Sequence, residues 1–314
     1  MSKSSNYVED FDIIEILKTL WSEKNIIILL TSIFALFSVV YALYLPNLYT
    51  SSALLKVTKN GSENSGGNIT ELASRYGGLA SMVGVSLPSS GIDDATYAVE
   101  IIKSRDFAKH LMTFPYIKQN LMATKSFNNS TKQIIYDEDI YNKELDVWVR
   151  KDVKSGSPEP TYLEVHSSAL KDLMVKYDVD TGLIKISFEH LSPVFAQEFV
   201  SLVISEVNTI TREIKLQETN TALDYLNQEY EKVNQQSLKL SINALISNQM
   251  NDKMIASIRE DYLLSILDPP VVPELKSNPK RSLICIVITI FGGLFSIIIA
   301  FIKSYLSNRT FKLN

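Results

Sequence analysis

Cysteine is nearly missing from this chain: its 314 residues hold one, Cys285, and that one sits inside a long apolar run. No internal disulfide and no cysteine-ligated metal can form. Histidine is almost as scarce, with His110, His166 and His190 scattered singly and without spaced partners. Neither a GxSxG turn nor a GxxxxGK[ST] loop occurs, so serine-hydrolase chemistry and phosphate cradling lack a recognisable apparatus. No catalytic, cofactor-binding or metal-binding residue is assigned, and no cofactor is expected. The net charge of −4 gives no basic field, which excludes nucleic acid as a partner. Asp137, Glu138 and Asp139 have no spaced ligand set around them and read as a solvated face.

Charge is missing from two stretches. Ile26–Leu45 and Leu283–Ile302 are each twenty uncharged apolar residues, the length a helix needs to cross a bilayer core. Soluble amphipathic helices keep a polar stripe, and these keep only scattered Ser, Thr, Tyr and Gly. Trp21 and Lys24 flank the first run, Tyr41, Tyr44 and Tyr49 cluster about its end, and Lys303 and Tyr305 follow the second. Such side chains favour the headgroup zone because each is part apolar and part polar. A cleaved signal peptide is excluded for the first run. Glu9, Asp10, Asp12, Glu15 and Glu23 precede or abut it, and "LYLPNLY" offers no small-x-small site. Two spans put both termini on one side and residues 46 to 282 on the other, where they read as the exported, working part. The bilayer itself is thus one partner.

Glycine and proline are missing from Val194 to Asp268, 75 residues without a helix breaker. Val203, Val207, Ile210 and Ile214 step by four and three, and Leu223, Leu226, Tyr230, Val233 and Leu240 continue near heptad spacing. One unbroken helix here would reach roughly 110 Å. A narrow apolar seam that long needs a returning chain or neighbouring subunits to cover it, which predicts a homo-oligomer. "SLKLSINALISNQMND" is its weakest part, where a bend or break is expected.

Elsewhere the signals are local. "FDIIEILKTLW" (11–21) places Ile13, Ile14, Leu17, Leu20 and Trp21 on one stripe of a membrane-surface helix. "LYTSSALLKV" reads as a strand, and residues 59–91 as a loop with a short helix. A helix starts at Asp93 or Asp94 and ends at Pro115. Residues 116 to 160 read as irregular. "DLMVKYDVDTGLIKISFEH" alternates as a β-hairpin with Gly182 at its turn. Ser192 then caps a helix with Pro193 in its first turn.

Four of the ten prolines, Pro269, Pro270, Pro273 and Pro279, fall just before the second apolar run, with Lys280 completing the series. This segment cannot stay helical and is predicted to be extended and stiff. Within the two runs, Ser38 and Ala42, and Gly292, Gly293 and Ser296, are small residues at the spacing that lets membrane helices pack closely.

The leading "DIIEILKTLW", the strand "LYTSSALLKV", the prolines with Lys280 and the paired Gly292 and Gly293 resemble the Wzz-type chain-length determinants. These polysaccharide co-polymerases act in bacterial surface polysaccharide synthesis. The tail "KSYLSNRTFKLN" resembles the class without a tyrosine kinase domain. The resemblance implies an α+β membrane protein whose two transmembrane helices flank a periplasmic α/β base domain with a long helical extension. The expected divisions are a cytoplasmic 1–25 with an amphipathic helix, spans at 26–45 and 283–302, and base domain 46–192. The helical extension then covers 193–268, the proline-rich return 269–282 and a short cytoplasmic tail 303–314. It further implies a non-enzymatic inner-membrane homo-oligomer that sets O-antigen-like glycan length beside the membrane polymerase. The growing glycan or its lipid carrier is a further candidate partner. The competing reading is a two-span periplasmic ligand sensor that works with a separate signalling partner.

Overall fold

A computed structural model of the chain describes residues 20–58, 93–151 and 156–310, with backbone alone for 304–310. The helix expected over 11–21, save its last two residues, and the segment 59–91 lie outside them. The chain divides into two units, one formed by Leu48–Leu275 and the other by the sequence on either side of it.

The central unit is built on a four-stranded antiparallel sheet whose strands lie in the order Leu173–Asp178 (β6), Leu183–His190 (β7), Tyr49–Val57 (β1) and Leu264–Asp268 (β8). Strand β1 (Tyr49–Val57) pairs on one side with β7 (Leu183–His190) and on the other with β8 (Leu264–Asp268). Strand β6 (Leu173–Asp178) completes the far edge. Alternation decides which face is covered: Ser51, Ala53 and Leu55 of β1 are buried beside Phe188, Ile186 and Ile184 of β7. Lys56 and Lys185, on the opposite face, are exposed, as an antiparallel sheet with one solvated side allows. The β6–β7 hairpin turns at Gly182, whose φ of 69° suits a residue without Cβ, and its N–H reaches the Asp178 carbonyl at 2.8 Å.

Helices close the buried face. The predicted helix after Asp93 is two, α2 (Asp94–Lys103) and α3 (Arg105–Leu111), because Ser104 leaves helical geometry. Its hydroxyl accepts from the Phe107 N–H at 3.1 Å, capping α3. The stretch expected to be irregular contains α4 (Ile117–Ala123) and two small hairpins, β2 (Thr124–Asn128) with β3 (Gln133–Tyr136) and β4 (Tyr141–Asn142) with β5 (Val147–Trp148). Helix α5 (Tyr162–Asp172) opens with a capping box in which Thr161 and Glu164 satisfy each other's backbone N–H groups.

The longest helix, α6 (Pro193–Lys232), begins where Ser192 accepts from the Phe195 N–H and Pro193 stands in the first turn. Its first half covers the sheet: Phe199, Val200, Val203 and Val207 are fully buried, and Phe199 lies 4.3 Å from Phe188 between ring centres. Residues 193–268 are not a single helix, however. At 40 residues α6 spans about 60 Å. The chain then becomes extended at Val233–Gln235, and α7 (Gln236–Ile258) runs back along it, with Lys215 on Asp252 at 3.3 Å. The last five residues of that stretch are β8. The apolar seam is thus covered in part by the chain's own return, through Leu223, Leu226, Ile242 and Ala256.

The other unit contains α1 (Lys24–Tyr44) and α8 (Arg281–Thr310), both long and apolar enough to cross a membrane. Only 11% and 17% of their most apolar stretches is buried, so neither is the core helix of a soluble domain.

Candidate functional site

The two apolar helices meet along their small residues. Ser38, Ala42, Ser296 and Ala300 are all buried, and the Thr31 and Ser296 hydroxyls lie 3.2 Å apart. The two glycines differ. A Cβ on Gly292 would stand 2.4 Å from the Cβ of Phe34, whereas one on Gly293 would only touch Thr31 at 4.0 Å. Gly292 is therefore the notch that receives the Phe34 side chain, and the Phe34 ring meets Phe295 edge-on at 6.1 Å. Lys303 reaches Glu23 at 2.8 Å at one end of the pair. At the other end Arg281 donates to the Leu45 carbonyl and the Asn47 side chain, at 3.2 and 3.0 Å. Composition flagged the small residues but missed Thr31, Phe34 and Arg281, whose roles depend on how the helices are rotated against each other.

The proline series follows directly from β8. Pro269 and Pro270 have no N–H to extend the strand ladder, and the last pair is Leu54 with Asp268. The Ser51 hydroxyl donates to the Val271 carbonyl at 2.8 Å, so the segment lies alongside β1, while Pro273 follows on a non-helical path. Pro279 and Lys280 immediately precede α8. No helix forms between Pro269 and Lys280.

A hydrogen-bonded clasp fastens β8 to the long helix. Asn208, buried on α6, donates to the Leu264 carbonyl at 2.8 Å and accepts from the Leu263 and Leu264 N–H groups at 2.9 and 2.8 Å. One side chain thereby satisfies three backbone groups beside an edge strand, a role no sequence signal announced.

The three histidines are far apart in the sequence and separately bonded. His110 meets Glu206 at 2.7 Å, and His166 meets the Lys103 carbonyl at 2.8 Å. His190 is a core residue: Nδ1 accepts from the Ser192 N–H and Nε2 donates to the Asn120 carbonyl, both at 3.0 Å. Burial among Phe188 and Phe195 pulls its pKa down to about 4, so the ring is neutral. Asp137 lies near Lys125 at 3.6 Å and accepts from the Asp139 N–H. Among the described residues no cluster of His, Cys, Asp or Glu is placed to hold a metal ion.

Among the described residues the sizeable polar hollows of the central unit include one of about 420 Å³ lined by Lys56, Thr58, Arg259, Glu260, Asp261 and Ser265, and a groove of about 470 Å³ where α2, α6, α7 and Tyr262–Leu263 converge. Asp94, Glu218 and Asp252 line this groove from three helices, together with Lys215, Tyr97 and Tyr262.

These features define a class: a mixed α/β protein with two candidate membrane helices near its ends and a long helical hairpin on a small sheet. The chain length determinant protein family, Wzz, matches residues 9–113, and over that stretch the chain is similar to Wzz-type polysaccharide co-polymerases. No curated protein matches the chain. Among solved structures, a full-length bacterial polysaccharide co-polymerase aligns at 14% identity and a TM-score of 0.38, over 95% of this chain and 99% of its own. A fragment of WzzB, the polysaccharide co-polymerase from Salmonella Typhimurium, aligns at 12% identity and a TM-score of 0.29, over 74% of this chain and 100% of its own.

Proposed function

We propose that this protein regulates the chain length of a bacterial surface polysaccharide of the O-antigen type. It acts as a homo-oligomeric scaffold in the inner membrane, beside the polymerase that extends the glycan. The observation that carries this reading is the Wzz match over residues 9–113, which spans the first apolar helix and the strand that follows it. In this arrangement the Glu23–Lys303 end of the helix pair faces the cytoplasm and residues 46–282 face the periplasm. The chain itself carries out no reaction.

Self-association is supported by what the hairpin leaves uncovered. Tyr225, Leu240, Met250, Met254 and Ile258 remain exposed on α6 and α7, apolar surface that neighbouring subunits would cover. Deleting the gene should broaden or shift the ladder of glycan lengths on a gel while single-unit addition continues. An unchanged ladder in a polymer-producing strain refutes the reading. Reporter fusions within 93–275 should give signal only from the exported side.

A further inference from the structure

The polar groove has the features of a ligand site rather than of a packing fault. Its volume lies within the ~300–1,000 Å³ span of small-ligand clefts. Its walls are helices and a strand-end segment, so its side chains are held by regular structure. Asp94 comes from the first turn of α2, Glu218 from the middle of α6 and Asp252 from α7. All three line the same groove as Tyr262, whose phenol is pushed up to about 12 by burial first and then by Asp252, Asp94 and Glu218.

The chemistry narrows the ligand. These carboxylates are not clustered as metal ligands. Asp94, Glu218 and Asp252 are spread along the groove and can accept from separate donors of an extended molecule, Asp252 while it also meets Lys215 at 3.3 Å. Lys215, paired with Asp252, supplies ammonium hydrogens beside one of those acceptors. Tyr97 is 39% exposed and Ile214 equally so, which adds apolar surface next to the charged groups. Acceptors, a donor and an aromatic ring in one open cleft match a molecule that carries many hydroxyls on an apolar ring face. Three carboxylates against one ammonium repel an acidic ligand.

We propose that this groove binds a short segment of glycan whose sugars are uncharged or amino-bearing. The proposal rests on the chain-length reading and locates on the protein where the polymer is felt. Carboxylates hold the sugar hydroxyls, and the Tyr97 ring packs against a C–H face.

The test is made in the native host, on the full chain. A photo-crosslinking residue replaces Tyr97 (Tyr97→p-benzoylphenylalanine), and a control places it at Tyr162, an exposed tyrosine on α5 that does not line the groove. Irradiation should yield adducts that carry glycan stain from position 97 and none from 162. Combining Asp94→Asn and Glu218→Gln should lower that yield about tenfold or more at equal protein abundance, because each change weakens a charged hydrogen bond. Absence of glycan adducts at 97, an adduct there consisting of two protein chains, or a yield indifferent to the amide changes each overturns the proposal. The glycan ladder of the deletion strain is scored separately. A ladder that broadens while position 97 captures no glycan refutes the groove and leaves the chain-length function standing. A ladder indifferent to deletion refutes that function, and the adduct still decides the groove.

Discussion

Replacing Gly292 with alanine puts a methyl carbon 2.4 Å from Phe34 Cβ and 2.5 Å from its Cγ, where ordinary contact begins near 3.4 Å. The helices must then separate by about 1 Å, or Phe34 must leave its notch. Neither is free, since Phe34 is fixed at its root and its ring also meets Phe295. Overpacking of this kind costs ~1–3 kcal/mol. Alanine also gains up to ~1 kcal/mol in a helix by reducing backbone freedom. Gly293→Ala receives the same gain with an ordinary 4.0 Å contact to Thr31 and no clash. Comparing the two neighbours cancels the backbone contribution and leaves the packing cost, a difference of about 1–3 kcal/mol. Unfolding of the full chain in mild detergent, followed by temperature or by SDS titration, measures it. Phe34→Gly should rescue Gly292→Ala, whereas Phe34→Ala should not, because its Cβ still occupies the contested place. Glycan ladders taken at matched abundance would then show whether the packing of the pair matters to length control. Equal unfolding midpoints for the two alanine variants would refute the reasoning.

Asn208→Ala strands the Leu263 and Leu264 N–H groups and the Leu264 carbonyl, and should cost about 3–5 kcal/mol in urea unfolding. Asn208→Asp keeps both acceptors but sets a carboxylate against that carbonyl, and should fall between the two. For His190 the folded value near 4 lies below the free 6.5, so only the unfolded chain takes up a proton as pH falls through this window. Stability is complete above pH 6.5 and declines by about 3 kcal/mol on reaching pH 4. His190→Phe should flatten that part of the pH profile, and an unchanged slope counts against a buried neutral ring. Ser104→Ala removes the cap between α2 and α3 and should cost ~1 kcal/mol, seen as a lower melting temperature.

The features legible in the sequence are those with a local cause. Uncharged length marked the two apolar helices, period-two alternation with Gly182 marked the β6–β7 hairpin, and Ser192–Pro193 marked the start of α6. The break after Lys232 was placed a few residues late, in the polar stretch that follows. Val233, Asn234 and Gln235 carry no glycine or proline, and the chain turns because α7 gains a partner by running back along α6. Likewise Ser104 divides a stretch of helical periodicity because its hydroxyl caps α3. The pairing of β8 with β1 joins residues more than 200 apart in sequence, and no local pattern encodes it. The groove was invisible for the same reason: Asp94, Lys215, Glu218 and Asp252 are ordinary surface charges until the fold brings them together. The small residues at Ser38, Ala42, Gly292 and Ser296 were legible as a stripe, but the distinction between Gly292 and Gly293 depends on a side chain from the other helix.

Because β7 and β8 lie on either side of β1 in the sheet, the arm that α6 and α7 form between them leaves the central unit and re-enters it at nearby points. An out-and-back arm of this kind can be lengthened without disturbing where it starts and finishes, provided both limbs grow by matching whole turns. Reach is therefore a property that mutation can adjust by insertion and deletion alone, with the sheet, the Asn208 clasp and the two apolar helices left as they are.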